Sequence, residues 1–73
     1  MDRTAVVSSV LRSVGYDRAQ RVLELEFHGG QVYRYADVPA RVHRELMAAD
    51  SHGRYFVRRI RGCYDYRRIP ARR

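Results

Sequence analysis

The sequence predicts an α+β fold in which a three-stranded antiparallel meander is followed by two helices packed on one face of the sheet. Polar and apolar residues alternate in "RVLELEF" (residues 21–27) and "QVYRY" (residues 31–35), which is typical of half-buried strands. Beyond residue 39 the apolar residues recur every three or four positions, as on one side of a helix. A chain of 73 residues suits one small domain, which we place at residues 1–73 with loose ends at Met1 and Arg73.

Turn-forming segments bound the predicted strands. The first strand is expected within "SSVLRSVGY" (residues 8–16), which is rich in β-branched and apolar residues, and "DRAQ" (residues 17–20) forms the polar turn after it. "HGG" (residues 28–30) supplies residues that tolerate positive φ between the second and third strands. A short C-terminal strand or an extended tail is expected in "CYDYRRIPARR" (residues 63–73).

The length of the second hairpin loop decides which side chains share a face of the sheet. A three-residue loop at residues 28–30 sets Leu25 opposite Tyr33, and it sets Glu24 opposite Arg34 as a favourable charged pair. A two-residue loop would place Leu25 against Arg34 instead. We therefore prefer the three-residue loop, because it pairs apolar with apolar residues and acid with base.

This register bears on whether the two central tyrosines belong to the core or form an open platform for stacking bases. The apolar face holds Leu23, Leu25, Phe27, Tyr33 and Tyr35. Helices have to cover that face to bury it, whereas sheets that stack RNA bases carry their aromatic residues on the uncovered face. The uncovered face here carries Glu24 and Glu26. We therefore interpret Tyr33 and Tyr35 as core residues.

Two helices are expected after the meander. Pro39 lies in the first turn of the first helix, which continues through "ARVHRELMAAD" (residues 40–50). Ser51 is the predicted N-cap of the second helix, "HGRYFVRRIRG" (residues 52–62), and Gly62 lies near its end. The inward positions recur at i, i+4 and i+7 in both helices: Val42, Leu46 and Ala49, then Phe56, Ile60 and Cys63.

The single cysteine, Cys63, excludes an internal disulfide, and we interpret it as a small buried residue rather than a reactive thiol. A chain without disulfides fits a reducing compartment. No segment resembles a secretory signal, and no apolar run approaches the roughly 20 residues that span a bilayer. These observations predict a cytoplasmic protein that does not act at a membrane.

The positive charge is concentrated at the C-terminal end of the chain. The formal net charge is +7, and all 15 basic residues are arginine. Residues 1–53 contain seven arginines and seven acidic residues, whereas residues 54–73 contain eight arginines and a single acid, Asp65. A positive field confined to one segment favours polyanionic partners such as nucleic acid.

The candidate binding residues lie within this basic segment. On a regular helix, Arg54, Arg58 and Arg61 fall opposite the inward residues and form one exposed stripe. Arginine supplies phosphate contacts and stacking, and Tyr64 and Tyr66 supply π-faces for bases. The complete predicted nucleic-acid-binding set is Arg54, Arg58, Arg59, Arg61, Tyr64, Tyr66, Arg67 and Arg68.

Residue types used in catalysis occur in the chain, but they are scattered. Such residues are Ser8, Ser9, His28, His43, His52 and Cys63. Their spacing matches no nucleophile elbow, phosphate-binding loop or metal site. We expect no enzymatic activity, cofactor, metal ion or small-molecule substrate.

The order of several segments resembles the KTSC domain family. The resemblance is carried by "SSVLRSVGYD", "LELEFHGGQVYRYADVP" and "AADSHGRYFVRRIRGCY", and the family's central tyrosine-x-tyrosine is matched by Tyr33 and Tyr35. The family occurs at the C-terminus of some lysyl-tRNA synthetases and as small standalone bacterial proteins, a context that implies RNA binding. Val57 stands where members often carry asparagine.

Two functions remain open from the sequence. The first is an RNA-binding module that uses the C-terminal arginines and tyrosines. The second is a protein-interaction or assembly domain, with another protein or a second copy as its partner and a basic face that is merely solvated. A small core and an outward-pointing Met47 would suit self-association.

Overall fold

The computed structural model describes residues 2–70 and shows an α+β fold with one five-stranded antiparallel sheet. The strands lie side by side in sequence order: β1 (Arg3–Ala5), β2 (Leu11–Asp17), β3 (Val22–Phe27), β4 (Val32–Tyr35) and β5 (Tyr66–Ile69). Between β4 and β5 the chain forms α1 (Ala40–Ala48), α2 (His52–Tyr55) and a π-helical turn (Phe56–Ile60). The expected loose ends at Met1 and Arg73 lie outside the described residues.

The predicted meander corresponds to β2, β3 and β4, and the short C-terminal strand is present as β5. The sheet is larger than predicted, because β1 was missed and β5 pairs fully with β4. Strand β1 has three exposed residues, so it carries none of the apolar alternation from which strands are recognised. The predicted fold class is confirmed, and the predicted number of strands is corrected to five.

The register of the β3–β4 hairpin is the one that the three-residue loop predicts. Leu25 pairs with Tyr33, and Glu24 pairs with Arg34. The loop is closed by two backbone hydrogen bonds of 2.9 Å, in which Phe27 N–H donates to the Gln31 carbonyl and Gly30 N–H donates to the Phe27 carbonyl. Gly30 has a φ of 92°, a conformation that residues with a Cβ rarely adopt.

Strand β2 contains a bulge that sequence alternation does not reveal. Leu11 pairs with Phe27 and Ser13 pairs with Glu26, so Arg12 is an extra residue in β2. The bulge shifts the alternation by one position. Leu11 and Val14 consequently both reach the core although they are three residues apart.

The helices cover the face of the sheet that was predicted. The buried apolar cluster is formed by Leu11, Val14, Leu23, Leu25, Tyr35, Val38, Val42, Leu46, Phe56 and Ile60. Tyr35 is only 4% exposed, and Tyr33 is half-buried against the same cluster. Met47 was expected to point outward, but it packs against this core.

The opposite face of the sheet carries no helix within residues 2–70, and a row of charged residues lies across it. Glu24 is 6% exposed, and its carboxylate accepts a 2.7 Å hydrogen bond from Arg34 Nε. Arg3 Nη1 lies 3.3 Å from the other carboxylate oxygen. In the row of paired residues, Gly15 lies between Arg3 and Glu24. Because Gly15 has no side chain, the Arg3 guanidinium can extend across it to the Glu24 carboxylate.

Helix α1 is fixed to the sheet partly through a stacked pair of rings. The His43 and Tyr16 rings have centroids 4.9 Å apart and planes 10° apart, and the Tyr16 hydroxyl donates to the Val38 carbonyl at 2.5 Å. Burial lowers the pKa of His43 below its usual value, and the nearby Arg18 guanidinium lowers it further. The folded protein therefore favours the neutral imidazole.

The hairpin loop supplies a matched test of the backbone constraint at Gly30. Gly30→Ala should lower the free energy of unfolding by roughly 1 kcal/mol or more, because an alanine has to adopt the positive φ. Gly29→Ala is the control, since its added Cβ meets only the flexible Gln31 side chain. Urea denaturation of both variants measures the difference, and equal stability would contradict the assigned loop geometry.

The stacked histidine predicts a dependence of stability on pH. Since the folded-state pKa of His43 lies below the value of about 6.5 for an unfolded chain, the unfolded state takes up a proton first as pH falls. The stabilisation contributed by neutral His43 is complete above about pH 6.5 and decreases as the pH falls below that value. His43→Gln removes this contribution, so the stability difference between parent and variant should shrink from pH 7.5 to pH 5. A constant difference in denaturation experiments would contradict this.

Candidate functional site

The predicted second helix exists, but it is irregular. It begins as predicted at Ser51, whose Oγ accepts a 3.2 Å hydrogen bond from Arg54 N–H. Four α-helical residues are followed by the π-helical turn, whose last hydrogen bond runs from Arg61 N–H to the Phe56 carbonyl at 2.8 Å. Phe56 and Ile60 are buried as predicted, which leaves the intervening arginines on the solvent side.

Three exposed arginines on this segment, Arg54, Arg58 and Arg59, form what we call the helical arginines. Arg54 and Arg58 line a groove of about 490 Å³ together with Val10 and Val57. All three line a neighbouring groove of about 300 Å³. The structure therefore brings these predicted site residues together on one surface.

The helical arginines form none of the ion pairs found among residues 2–70, although Glu45 and Asp50 line the smaller groove beside them. Within residues 2–70, the ion pairs join Arg3 and Arg34 to Glu24, and Arg41 to Glu45. The Tyr55 hydroxyl donates to Glu45 Oε1 at 2.7 Å, and this bond lowers the pKa of Glu45, with further contributions from Arg41 and Arg59. Glu45 thus stays ionised beside the second groove, whereas no acidic residue lines the groove of Val10 and Val57.

Arg61 does not continue the stripe that a regular helix would have produced. The wider π-helical turn ends at Ile60, and Arg61 has extended backbone angles, with φ −63° and ψ 124°. It lines a different groove, among aromatic residues of the sheet. The predicted placement of Arg54, Arg58 and Arg61 on one stripe is therefore wrong for Arg61, although all three are exposed.

Cys63 is exposed, which corrects its interpretation as a small buried residue. Gly62 has a φ of 78° and lies just beyond the end of the helical segment, so Cys63 lies in the following turn rather than on the inward face of a helix.

Tyr64 is half-buried against the core. It therefore presents less of its ring to a ligand than the sequence suggested.

Tyr66 is the predicted stacking residue that the structure leaves open, since it is 63% exposed on β5. Its ring contacts Tyr33 edge to face, with centroids 5.4 Å apart, and Tyr35 in a tilted arrangement at 5.5 Å. The three rings belong to a groove of about 310 Å³, called the aromatic groove below. Its lining residues are Phe27, Tyr33, Tyr35, Phe56, Arg61, Gly62 and Tyr66.

Contacts between aromatic rings form the interior of the aromatic groove. Phe56 contacts Phe27 and Tyr35 edge to face, with centroids 5.3 Å and 6.0 Å apart. Burial raises the pKa of the Tyr35 hydroxyl to about 12, with Tyr66 and Tyr33 adding to the shift and Arg61 opposing it. Tyr35 therefore remains a neutral phenol at physiological pH.

The two arginines of β5 lie on opposite faces of the sheet. Arg68 pairs with Tyr33 and so lies on the side of the aromatic groove, whereas Arg67 pairs with Arg34 on the side without helices. The predicted set of eight residues is consequently divided among three surfaces: the helical arginines, the surroundings of the aromatic groove, and the open face of the sheet. Phe27, Tyr33 and Phe56 were missed as groove residues, because the sequence does not reveal that β5 pairs with β4.

Neither a cluster of metal ligands nor a membrane-spanning helix is found among residues 2–70. Within residues 2–70, no group of three or more histidine, cysteine, aspartate or glutamate side chains is placed to hold a metal ion. The same part of the chain contains no helix of the length and apolar character needed to cross a membrane.

The structure is thus a small α+β domain, with an antiparallel sheet, its helices on one face and exposed arginines on the helical side. The family model described as the KTSC domain matches residues 7–66. The chain therefore belongs to the KTSC domain family, as the resemblance in its sequence indicated. A structural relative supports this, since a KTSC domain protein from Yersinia pestis superposes with a TM-score of 0.93 at 40% identity, over 94% of this chain and 97% of that one.

Relatives of known sequence fall into two kinds. An uncharacterized protein of Stutzerimonas stutzeri is 54% identical over 77% of this chain and 79% of its own length. A lysine–tRNA ligase of a Nostoc species is 36% identical over 84% of this chain, but the match spans only 11% of the ligase. This chain is thus similar both to small separate proteins and to a minor part of a much larger enzyme.

The buried position of Tyr35 predicts that its replacement acts on stability. Tyr35→Ala removes a core aromatic ring and should cost roughly 3 kcal/mol or more, whereas Tyr35→Phe keeps the ring and should cost much less. Chemical denaturation measures both. If Tyr35→Ala melted like the parent and lost a ligand, Tyr35 would belong to an exposed binding platform instead of the core.

Proposed function

We propose that this KTSC domain is a non-enzymatic module that binds RNA, with phosphate contacts from the helical arginines and further contacts from the arginines and tyrosines that follow them. The observation that carries the proposal is the distribution of charge. Residues 1–53 are balanced, and the whole excess of +7 lies beyond Gly53. Arginines held on the outside of a folded helical segment form a fixed cationic surface for a phosphate backbone.

The structure supports the proposal at the helical arginines in two ways. Ser51 caps the segment and Phe56 and Ile60 anchor it in the core, so the arginines are presented on ordered backbone. Their guanidinium groups are in none of the ion pairs found among residues 2–70, and no acidic residue lines the larger groove, so a phosphate can approach Arg54 and Arg58 there without displacing an acid. The similarity to part of a lysine–tRNA ligase, whose name specifies a transfer RNA substrate, favours RNA among polyanions.

A protein-interaction function is the second candidate, and exposed apolar residues favour it. Val57 is 50% exposed and Val7 is 98% exposed, and Val57 and Val10 form the apolar part of the larger groove. A partner with an aliphatic side chain and acidic neighbours would complement this groove between Arg54 and Arg58. The packing of Met47 against the core removes the feature that had suggested self-association.

Replacement of the helical arginines tests the RNA-binding proposal. Arg54→Gln, Arg58→Gln and Arg59→Gln together should weaken binding to transfer RNA and single-stranded RNA. The slope of log affinity against log salt concentration should shrink by up to about 0.7 for each single-strand phosphate contact that is lost. Stability should change little, because all three side chains are exposed.

A matched control separates a local site from overall charge. Replacing Arg12, Arg18 and Arg44 by glutamine removes the same charge from other exposed positions, and this variant should bind nearly like the parent. Fluorescence anisotropy at two salt concentrations, with duplex DNA as a further ligand, measures the effects. Equal losses in both variants, or no RNA binding by the parent at low salt, would reject the proposed site. Sedimentation analysis would then test the protein-interaction function.

A further inference from the structure

Tyr66 differs from the other aromatic residues of the groove in being both fixed and exposed. Contacts with Tyr33 and Tyr35 hold one side of its ring, while 63% of the residue remains open to solvent. An aromatic side chain with few rotatable bonds that is already held in place loses little conformational entropy on binding. The ring is therefore a preorganised stacking surface.

The rim of the aromatic groove suits a planar ligand that carries negative charge. Arg61 lines it, and Arg68 pairs with Tyr33 on the same side of the sheet. Gly62 also lines it, and an added Cβ there would meet no atom within 4 Å, so the groove is open beside Arg61. No acidic residue is among the lining residues. The groove of about 310 Å³ lies at the lower end of the range of ligand sites, which suits one planar ring system.

We propose that the aromatic groove binds a single unpaired nucleobase, stacked on Tyr66, with the adjoining phosphates held by Arg61 and Arg68. This inference rests on the proposed RNA-binding function and specifies its substrate class as single-stranded nucleic acid. Bases within a duplex are stacked on their neighbours and cannot enter a groove at the edge of the domain without being extruded. The domain should therefore prefer single strands to duplexes of the same sequence.

The charge around the groove favours a nucleic acid over a peptide. Proline-rich peptides also dock in aromatic grooves, but they bring no negative charge to Arg61 and Arg68. A base joined to a phosphate uses both components of the site, since aromatic side chains stack on every base and arginine binds the backbone. Binding of a neutral proline-rich peptide in place of single-stranded RNA would overturn the assignment.

A tryptophan at position 66 reports stacking directly. The chain contains no tryptophan, so Tyr66→Trp introduces a single fluorophore at the proposed site. Its emission should be quenched by a short single-stranded RNA and much less by an abasic strand of the same length and charge. Val7→Trp is the matched control, because Val7 is 98% exposed and is not a groove residue, and its emission should not distinguish the two strands.

Affinity measurements give a second, independent test. Tyr66→Ala should weaken binding of the intact single strand between about 5-fold and 150-fold, with little change in the salt slope. Binding of the abasic strand and of the duplex should hardly change. Tyr66→Phe, which keeps the aromatic ring, should bind nearly like the parent, because stacking needs the ring and not the hydroxyl. Thermal melting of all variants accompanies the measurement.

The outcomes separate this inference from the function on which it rests. If Tyr66→Ala and the parent bind the intact strand equally, or if the abasic strand binds as well as the intact one, the base site is rejected. Loss of affinity in the variant lacking the helical arginines would still support RNA binding in that case. If the parent binds no RNA even at low salt, both proposals fail. If the emission of the Tyr66→Trp variant is quenched only by the proline-rich peptide, the base site alone is rejected.

Discussion

The register of the β3–β4 hairpin is the constraint on which the rest of the structure depends. A side chain in a strand changes face when the register slips by one residue. The length of the loop at residues 28–30 therefore determines which face of the sheet each side chain of both strands occupies. With three residues in that loop, Leu25 and Tyr33 come together on the face beneath the helices. The same register brings Glu24 to Arg34 on the other face. One short loop thus determines both the core and the charge balance of the open face.

The distribution of charge over the two faces follows from this register. On the open face, Arg3 and Arg34 are both held by Glu24, which is nearly buried between them. Buried carboxylates are stable when such hydrogen-bonded partners are present. On the helical side, Arg41 pairs with Glu45, whereas the helical arginines form none of the ion pairs found among residues 2–70. Among residues 2–70, uncompensated positive charge therefore lies at the helical arginines and also at Arg67 on the open face.

Much of this arrangement could be predicted from the sequence, because local patterns determine it. Alternation placed Tyr33 and Tyr35 with the core, and Ser51 capped the second helix as expected. The predictions that were wrong concern residues that follow a single extra residue in a strand or helix. The bulge at Arg12 and the π-helical turn each displace all later side chains, and neither has a distinct signature in composition or periodicity. Arg61 and Cys63 were misplaced for that reason.

The site could be predicted only in part, because it depends on a contact between distant parts of the chain. Tyr66 joins Tyr33 and Tyr35 only when β5 returns to pair with β4 after both helical segments. Its position is consequently coupled to the packing of Phe56, which contacts Tyr35 from the helical side. The inner rings therefore serve stability and also set the orientation of the exposed ring. A tyrosine-x-tyrosine pair can in this way influence binding from within the core, without presenting either ring as an open platform.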